Sequence, residues 1–437
     1  MKAEQIRSVL RYIDRFKNAV AVIHLDDRII DAPLYTSFIR DIRLIHQAGM
    51  RVIIVPGARK RIDEILAASH ISWEMRQGCR VTGEEAIPLI KMAAFDVSNR
   101  VMTALAGEKR TAVIGNWVRA RRYGVIEGVD YGTAGDVDRI DAEAVRQILA
   151  SGFIPIFPCI GWNAAGKPFN ISSLRLAAEI AVQFKADKLF CVAPHAHISS
   201  DTFTIPEGIG LAEDGHIPAL NFEEAQTLIA QNQGNRNGPA QESLALLAAA
   251  LEACSQGVVR AHILNGETDG ALPCEIFSDF GSGTMIYKNN YGGIRNMTPD
   301  DIPAVLNLMR PFVEQGILLP RTQAKIAADC ADYIVFELDG GIRACAALHQ
   351  YNDGQAEIAA LAVNEAFAHI GTGPKLLDFL IDRARKAKAT SVFALTTKTA
   401  DWFEQSGFQE GAIETLPTKR REKLNPARGS KLFRLVL

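Results

Sequence analysis

The sequence predicts an α/β domain, an αβα sandwich with a mainly parallel sheet, followed by an α+β domain. Up to residue 285, short β-rich runs alternate with amphipathic helices, which is typical of parallel strands covered on both faces. A polar, glycine-rich stretch at 281–293 then interrupts this alternation. Beyond it, strands follow one another with short polar turns, which favours antiparallel pairing.

The composition suits ordinary globular domains and gives no sign of a nucleic-acid or membrane partner. The 437 residues are 48% hydrophobic and 22% charged, and 48 basic against 50 acidic residues give a net charge of −2. The first residues lack the apolar core of a signal peptide. Seven widely spaced cysteines without a CxxC pair indicate buried thiols in a reducing compartment rather than a metal site. We therefore expect a cytoplasmic protein without a bound metal.

The elements of the first domain follow from the spacing of apolar residues. Buried strands are predicted at 19–24 (AVAVIH) and 51–55 (RVIIV), with an amphipathic helix at 33–48 between them. The alternation continues with a strand at 111–118, a helix at 142–150, a strand at 153–159, a helix at 173–184, a strand at 188–192, a helix at 242–254 and a strand at 261–264.

The second domain begins with a strand at 294–297 and a capped helix, because Thr298 is followed by two aspartates. Its further predicted elements are strands at 333–338, 342–350 and 357–363, a helix at 374–388, a strand at 391–395, a helix at 399–406 and a strand at 431–436. The predicted organisation is an N-terminal helix at 1–18, a first domain at 19–285, a linker at 286–293 and a second domain at 294–437.

The strongest chemical signal is a strand that runs through a glycine-containing loop directly into a helix. Its residues are Leu361, Ala362 and Val363 on the strand and Ala368, His369, Ile370, Gly371, Thr372 and Gly373 in the loop. Such a loop offers unpaired N–H groups and the positive end of a helix dipole, and its glycines let a pyrophosphate approach. Taken alone, the pattern fits an ordinary helix start equally well.

In the order of its elements, the segment 294–437 resembles the GNAT superfamily of N-acetyltransferases. The resemblance implies that 361–363 and 368–373 bind acetyl-CoA. The family's loop reads Q/R-x-x-G-x-G, whereas this chain has Ala368 in place of the first basic residue. One charge contact is therefore lost, but the backbone cradle is kept. For His369, a solvent-facing position is the alternative to a phosphate contact.

Three segments are similar to the N-acetylglutamate synthase family. Residues 393–408 (FALTTKTADWFEQSGF) follow the signature F-x-L-[ST]-T-x-T-x-x-W-F-x-x-x-G-F, and 314–321 (EQGILLPR) and 428–431 (RGSK) also match. The resemblance implies acetyl transfer from acetyl-CoA to the α-amino group of L-glutamate, which opens arginine biosynthesis. In these acetyltransferases a splayed strand, here near Leu361, supplies a backbone N–H to the tetrahedral oxyanion.

The same resemblance implies roles for individual residues. Glu357 is the expected base that takes a proton from the ammonium group, directly or through water. Thr396 stands where a serine or threonine protonates the departing thiolate. Arg321 and Arg428, helped by Ser430, are the expected partners of the two glutamate carboxylates. The plain alternatives are a strand-edge glutamate, a β-favouring threonine and solvated arginines.

The first domain resembles the amino-acid kinase fold, but its phosphate-binding residues are changed. Gly57-Ala58-Arg59 lies where kinases carry an H-G-G-G turn. Asp26 and Asp27 stand where a phosphate-binding glycine pair is expected, and two acids there would repel a triphosphate. We therefore do not expect phosphoryl transfer.

An arginine-responsive version of this fold would retain an effector pocket, and the segments SQGVVRAH and DGALPCEIF match it. The guanidinium of L-arginine requires a carboxylate, and its own carboxylate requires N–H groups. Glu275, Gly281 and Gly283 are the expected effector-binding residues. The alternative is that Glu275 and His262 only tie the sheet together.

The helix predicted at 1–18 carries apolar residues on one face and is expected to pack on a neighbouring subunit, as in hexameric members of the family. A helix that covers its own core is the alternative.

Two other functions remain open at this point. One is an acetyltransferase for another amino acid, and the other is an arginine sensor with impaired acetyltransferase activity.

Overall fold

The computed structural model describes residues 16–76, 78–207, 209–212, 214–234, 238–277, 281–288, 292–338, 341–364 and 371–437. The chain separates into two compact units, and the first ends at Lys288. That boundary lies inside the predicted linker 286–293, whose own limits stay a prediction. Of the helix predicted at 1–18, residues 1–15 lie outside the described residues.

The first unit is built on a large, mainly parallel sheet. Its strands are β1 (Val20–Leu25), β2 (Arg51–Pro56), β3 (Glu74–Arg76), β4 (Cys79–Val81), β5 (Ala112–Ile114), β6 (Val118–Arg122), β7 (Val125–Ile126), β8 (Val129–Asp130), β9 (Gly135–Ile140), β10 (Ile154–Ile156), β11 (Ile160–Trp162), β12 (Pro168–Asn170), β13 (Lys188–Ala193), β14 (Ala219–Asn221), β15 (Arg260–Asn265) and β16 (Thr284–Tyr287). In the described residues, eight of them form a sheet in the order β14-β16-β15-β13-β1-β2-β10-β5. Neighbours run parallel except β15 and β16. The predicted mainly parallel sheet is confirmed.

Helices cover this sheet on both faces. They are Asp27–Ile30, Tyr35–Gln47, Arg59–Ala68, Ile87–Gly107, Ala142–Ala150, Ser173–Gln183, Phe222–Gln231, Gly238–Ser255 and Ala271–Phe277. Alternate residues of β1 enter different hydrophobic clusters, Val22 one and Ala21 and Ile23 the other. Because successive side chains of a strand point to opposite faces, both faces are buried, as the predicted αβα sandwich requires.

Two predicted strands are shorter in the structure than the sequence pattern indicated. The run 111–118 divides into β5 and β6 at Gly115, where a Cβ would overlap the ring of Trp117. The run 153–159 leaves the large sheet after β10 and reaches Pro158, which has no N–H to continue a ladder. In the described residues the chain then builds a second sheet in the order β12-β11-β6-β9, which the sequence analysis did not predict.

The second unit is an α+β fold, as predicted. Its strands are β17 (Gly292–Asn296), β18 (Tyr333–Leu338), β19 (Gly341–Gln350), β20 (Gln355–Val363), β21 (Ser391–Thr396), β22 (Gln409–Gly411) and β23 (Lys431–Val436), and its helices are Ile302–Glu314, Gln323–Ala328, Thr372–Lys386, Ala400–Gln405 and Thr418–Arg421. In the described residues the sheet order is β17-β18-β19-β20-β21-β23-β22. Neighbours are antiparallel except β20 and β21, which run parallel.

We find no helix among the described residues that has both the length and the apolar character needed to cross a membrane.

Candidate functional site

The parallel strands β20 and β21 separate in the middle of the second sheet. Their pairing joins residues 355–358 of β20 to residues 391–394 of β21, although both strands continue further. A gap therefore opens between their C-terminal parts. The predicted CoA-binding residues 361–363 and the predicted catalytic Thr396 lie along this gap.

A β-bulge lies on β20 beside this gap. The pairing with β19 shifts between Cys345 and Ala347, so that Ala360 and Leu361 together face one residue of β19. Ala360 has a φ of 53°, a left-handed conformation that costs a residue with a side chain about 1–2 kcal/mol. Bulges recur next to active sites, where they redirect backbone groups. The expected oxyanion donor, a backbone N–H near Leu361, thus lies in a strand segment that has left regular pairing.

The glycine loop ends at the helix Thr372–Lys386. Gly371 is its N-cap, has a φ of 71° and supplies no side-chain cap, while Thr372 and Gly373 are buried in the first turn. A first turn without a side-chain cap offers its N–H groups to an anion, so these residues fit the pyrophosphate of CoA. The predicted residues 368–370 lie outside the described residues, and their contacts stay a prediction.

Glu357 lies on the paired part of β20, and its side chain is 7% exposed. Nε of Arg420 donates to both carboxylate oxygens, at 2.9 and 2.8 Å, and the hydroxyl of Tyr351 donates to Oε2 at 2.8 Å. Burial, and then the charge of Glu357, raise the pKa of Tyr351, so the phenol remains a donor. Sequence reasoning missed both partners. Arg420 stands in the basic run KRREK, where no spacing distinguishes it.

Thr396 ends β21 and is buried. Its hydroxyl oxygen accepts the backbone N–H of Thr399 at 3.0 Å and that of Lys398 at 3.3 Å, and it lies 2.7 Å from the Thr399 hydroxyl. Because a hydroxyl has two lone pairs and one proton, these backbone contacts make Thr396 the donor in its contact with the Thr399 hydroxyl oxygen. This geometry is compatible with the proton-donor role predicted for Thr396.

Three arginines of the second unit, Arg321, Arg420 and Arg428, lie near one another. Nη2 of Arg428 donates to two backbone carbonyls just after the helix Ile302–Glu314, at 3.1 and 2.6 Å. Burial, and then the charges of Arg321 and Arg420, lower the pKa of Arg428. Ser430 is half-buried two residues further on. Such a concentration of guanidinium groups favours a ligand with carboxylates.

In the first unit, the three predicted effector-binding residues lie together. Oε2 of Glu275 accepts the backbone N–H groups of Ser282 at 2.6 Å and Gly283 at 3.0 Å, and Oε1 lies 2.6 Å from Nδ1 of His262. A Cβ on Gly281 would lie 2.7 Å from Oε2, so the loop approaches the carboxylate closely. Glu275 is therefore held by its own chain, and contacts with described residues use three of the four lone pairs of its carboxylate.

The same network defines the protonation of His262. Nζ of Lys188 lies 3.3 Å from Nε2 of His262, and an ammonium group can only donate. Nε2 therefore accepts, and Nδ1 carries the proton that it donates to Glu275. Burial, and then the charge of Lys188, lower the pKa of His262 to about 4. Burial alone would raise the pKa of Glu275, but the hydrogen bonds from His262 and Ser282 outweigh it and lower this pKa.

A cavity of about 690 Å³ lies in the first unit, and its lining includes Asp26, Asp27 and residues 57–59, which the sequence analysis aligned with the phosphate-binding positions of the kinase fold. Oδ2 of Asp27 accepts the N–H of Arg61 at 2.9 Å, so a carboxylate of the chain already occupies the N-terminal turn of the helix Arg59–Ala68. Asp26 pairs with Arg28 at 2.8 Å. An internal anion at a helix N-terminus opposes the binding of a triphosphate there.

Among the described residues, no group of three or more His, Cys, Asp or Glu side chains is arranged to hold a metal ion.

Comparison with known proteins relates both units to characterised families. Residues 20–265 match the amino acid kinase family, and residues 303–408 match the acetyltransferase (GNAT) family. The amino-acid acetyltransferase of Actinobacillus pleuropneumoniae serotype 7 is 35% identical over 98% of this chain and 96% of that protein.

Solved structures agree. N-acetylglutamate synthase from Neisseria gonorrhoeae complexed with coenzyme A and L-arginine is 31% identical, with a TM-score of 0.79 over 100% of this chain and 99% of that chain. The same enzyme complexed with coenzyme A and N-acetyl-glutamate is 32% identical, with a TM-score of 0.61 and the same coverage. These similarities confirm the predicted pair of folds and the predicted enzyme class. The chain therefore belongs to the amino-acid acetyltransferase family and is an N-acetyltransferase made of an amino-acid kinase-like unit followed by a GNAT unit.

Proposed function

We propose that this acetyltransferase moves the acetyl group of acetyl-CoA to the α-amino group of L-glutamate, and so forms N-acetyl-L-glutamate and CoA at the start of arginine biosynthesis. The observation that carries the proposal is that Arg420 contacts Glu357, while Arg321 and Arg420 lie near enough to Arg428 for their charges to lower its pKa. An acceptor with two carboxylates and one amino group complements three guanidinium groups and one carboxylate. The full-length similarity to a synthase complexed with coenzyme A and N-acetyl-glutamate supports the same acceptor.

The residues along the gap between β20 and β21 have separate roles in the reaction. Acetyl-CoA, when bound, supplies an acetyl group already activated as a thioester. Glu357 accepts a proton from the acceptor's ammonium group, which gives the nitrogen the lone pair it needs to attack. The N–H near Leu361 donates to the acetyl oxygen as negative charge develops there. Thr396 gives its proton to the departing sulfur and takes in return the second proton that the attacking nitrogen loses as the amide forms.

Acceptor choice depends on Arg321 and Arg428, with Ser430 as a further donor. The two backbone carbonyls that accept from Nη2 of Arg428 orient its guanidinium. Among the described residues they fix one side of the group and leave its other donors for a ligand. Charge-assisted bonds of this kind contribute about 1.5–3 kcal/mol each. An acceptor that lacks the side-chain carboxylate should therefore be used poorly.

We also infer that L-arginine regulates the enzyme from the first unit, through Glu275, Gly281 and Gly283. Among the described residues, Oε1 of Glu275 has one partner and so one further lone pair for a guanidinium, and the 281–283 loop is bonded to the same carboxylate. Arginine binding would therefore move the loop and Glu275 together. The similar synthase complexed with L-arginine supports such a site. Regulation requires different arginine affinities in two states of the enzyme, typically a coupling of about 1–3 kcal/mol.

We further propose that the chain forms a homo-oligomer to which residues 1–18 contribute. We also propose that the enzyme is located in the cytoplasm.

The test of the activity is a thiol-release assay on the purified full-length chain with acetyl-CoA and single amino acids. We expect turnover with L-glutamate, none without an acceptor, and no effect of EDTA or ATP. L-Glutamine is the matched control, because it differs by one carboxylate, and its kcat/KM should be lower by about 10-fold or more. Higher kcat/KM with another amino acid would replace glutamate by that acceptor. Loss of activity on chelation would contradict a metal-free mechanism.

The test of regulation compares Glu275→Gln with Glu267→Gln, an exposed glutamate of the same unit that pairs with His195. We expect arginine to change the rate of the wild-type and Glu267→Gln enzymes, each relative to its own rate without arginine. Glu275→Gln should respond only at much higher arginine concentration. An unchanged response in Glu275→Gln would place the effector elsewhere.

A further inference from the structure

A cleft of about 310 Å³ lies between two helices of the second unit. It begins at the first turn of the helix Thr372–Lys386, where the glycine loop ends. Pockets for small molecules have volumes of about 300–1,000 Å³, so this cleft suits one part of a ligand rather than a molecule as long as CoA. Its lining comes from one face of each helix and consists of Pro374, Leu377, Asp378, Trp402, Gln405 and Ser406.

Trp402 connects this cleft with the turn that offers its N–H groups to an anion. A Cβ on Gly373 would lie 3.4 Å from Cζ2 of Trp402, so the indole lies directly against the first turn of the helix Thr372–Lys386. The side chain is half-buried, and it packs against the hydrophobic cluster of the sheet as well as lining the cleft. Trp402 belongs to the matched segment 393–408, but none of the reaction steps described above uses an indole.

The lining of the cleft favours an uncharged, planar group with hydrogen-bonding edges. Trp402, Pro374 and Leu377 supply apolar surface, and an aromatic ring stacks well on a nucleobase. The carboxylate of Asp378 disfavours a phosphate in the cleft but accepts a hydrogen bond from an amino group. The amide of Gln405 is suited to the amino group and N7 of adenine, a pairing that glutamine makes with this base. Adenosine meets these requirements, and in CoA it is attached to the pyrophosphate expected at the adjacent turn.

We propose that this cleft binds the adenosine part of acetyl-CoA, with Trp402 as the surface on which the adenine stacks. Pro374 and Asp378 are four residues apart, about 6 Å along the helix axis, so a group joined directly to the pyrophosphate reaches the cleft. The adenosine takes no part in acetyl transfer, and its binding energy serves to hold the thioester in the gap between β20 and β21. This inference rests on the proposed acetyl-CoA site but not on the identity of the acceptor.

The test is calorimetry on the full-length chain with two ligands, CoA and 4′-phosphopantetheine, which lacks the adenosine part. No acceptor is needed. Trp402→Leu should weaken the binding of CoA by about 10-fold and leave the binding of 4′-phosphopantetheine unchanged. Trp402→Phe keeps a ring and should restore most of the affinity for CoA.

Two variants of neighbouring residues complete the comparison. Gln405→Ala removes an exposed side chain of the lining and should weaken the binding of CoA alone, by a smaller factor than Trp402→Leu. Glu404→Ala is the matched control, because Glu404 is exposed on the same helix and is absent from the lining of the cleft. It should bind both ligands as the wild type does.

Equal losses for both ligands in Trp402→Leu would show that the indole only supports the phosphate-binding turn, and would overturn the adenosine site. An affinity for CoA that neither Trp402→Leu nor Gln405→Ala changes would overturn it as well. If Trp402→Leu does not fold, Gln405→Ala decides. Fluorescence gives a second measurement, because Trp402 is the one tryptophan of the second unit. CoA should change the emission of the wild type, and most of that change should be lost in Trp402→Phe.

The binding results are independent of the acceptor. If the wild type binds CoA as expected but does not acetylate glutamate, the proposed function fails and the adenosine site stands. If the wild type does not bind CoA, both fail.

Discussion

Acid should destabilise the first unit through His262, and replacing this residue by asparagine should remove the effect. Folding lowers the pKa of His262 from 6.5 to about 4, so between these values the unfolded chain binds the additional proton. Stability then falls as the pH falls. For these two values, the contribution of His262 to the free energy of unfolding drops by about 2 kcal/mol between pH 7.5 and pH 5.

Asparagine is the suitable replacement because its Nδ2 takes the place of the imidazole Nδ1 and keeps a donor for Glu275. The variant loses the contact of Nε2 with Lys188 and the stacking on Phe190, whose ring centroid lies 4.9 Å away. It should therefore be less stable than the wild type at pH 7.5. Urea unfolding can be followed by fluorescence, because the first unit contains three of the four tryptophans, at positions 73, 117 and 162.

The measured quantity is the difference in unfolding free energy between wild type and His262→Asn, and it should shrink by about 2 kcal/mol from pH 7.5 to pH 5. Other titrating groups cancel in this difference. Burial lowers the pKa of His24 to about 4 and raises that of Asp27 to about 6, and both residues are present in each protein. A difference that stays constant with pH would show that His262 is not held neutral and would refute the assigned tautomer.

Other substitutions test the catalytic unit and the effector loop. Glu357→Gln should lower kcat by about 10²-fold or more, since the amide cannot accept the proton. Thr396→Ala should have a smaller effect, because a thiolate leaves readily. A normal rate and pH profile in Glu357→Gln would refute the role of Glu357 as the base. Arg321→Ala and Arg428→Ala should raise the KM for glutamate by about 10-fold or more with little change in that for acetyl-CoA, and equal effects on both substrates in steady-state assays would indicate a folding role. Gly283→Ala places a Cβ against a backbone carbonyl of β15. It should lower the stability of the first unit by about 1–3 kcal/mol in urea unfolding and should weaken the response to arginine. Unchanged stability would mean that the loop is not held as described.

Much of the fold follows from local sequence. The strands β18 and β23 were predicted to the residue, because each is an apolar run bounded by polar turns. The second sheet of the first unit was not predicted, because its short strands are joined by long-range pairings. Gly161 on β11 shows this, since a Cβ there would meet Ala120 on β6, a packing restriction that no local pattern reveals.

The site was predictable only where it follows a continuous motif. Gly371 and Gly373 lie at the start of a helix, as the loop pattern indicated. Arg420 was missed because its contact with Glu357 spans 63 positions of the chain, and a basic run normally forms a solvated surface. Glu275 lies against the loop 281–283 with which the sequence analysis grouped it, but its bond to His262 depends on a strand and a helix that meet only in the folded unit.

The contact between Asp27 and the N–H of Arg61 bears on the selectivity of inhibitors. An unoccupied helix N-terminus attracts compounds that mimic phosphate groups. Here the pKa of Asp27 is raised by burial only to about 6, so at neutral pH its carboxylate is charged and competes with the compound inside the same molecule. Because Asp27 belongs to the same chain, its effective concentration at this helix N-terminus does not depend on how much compound is added. Phosphate mimics that need this helix N-terminus should therefore bind this enzyme more weakly than they bind a kinase that lacks such a carboxylate.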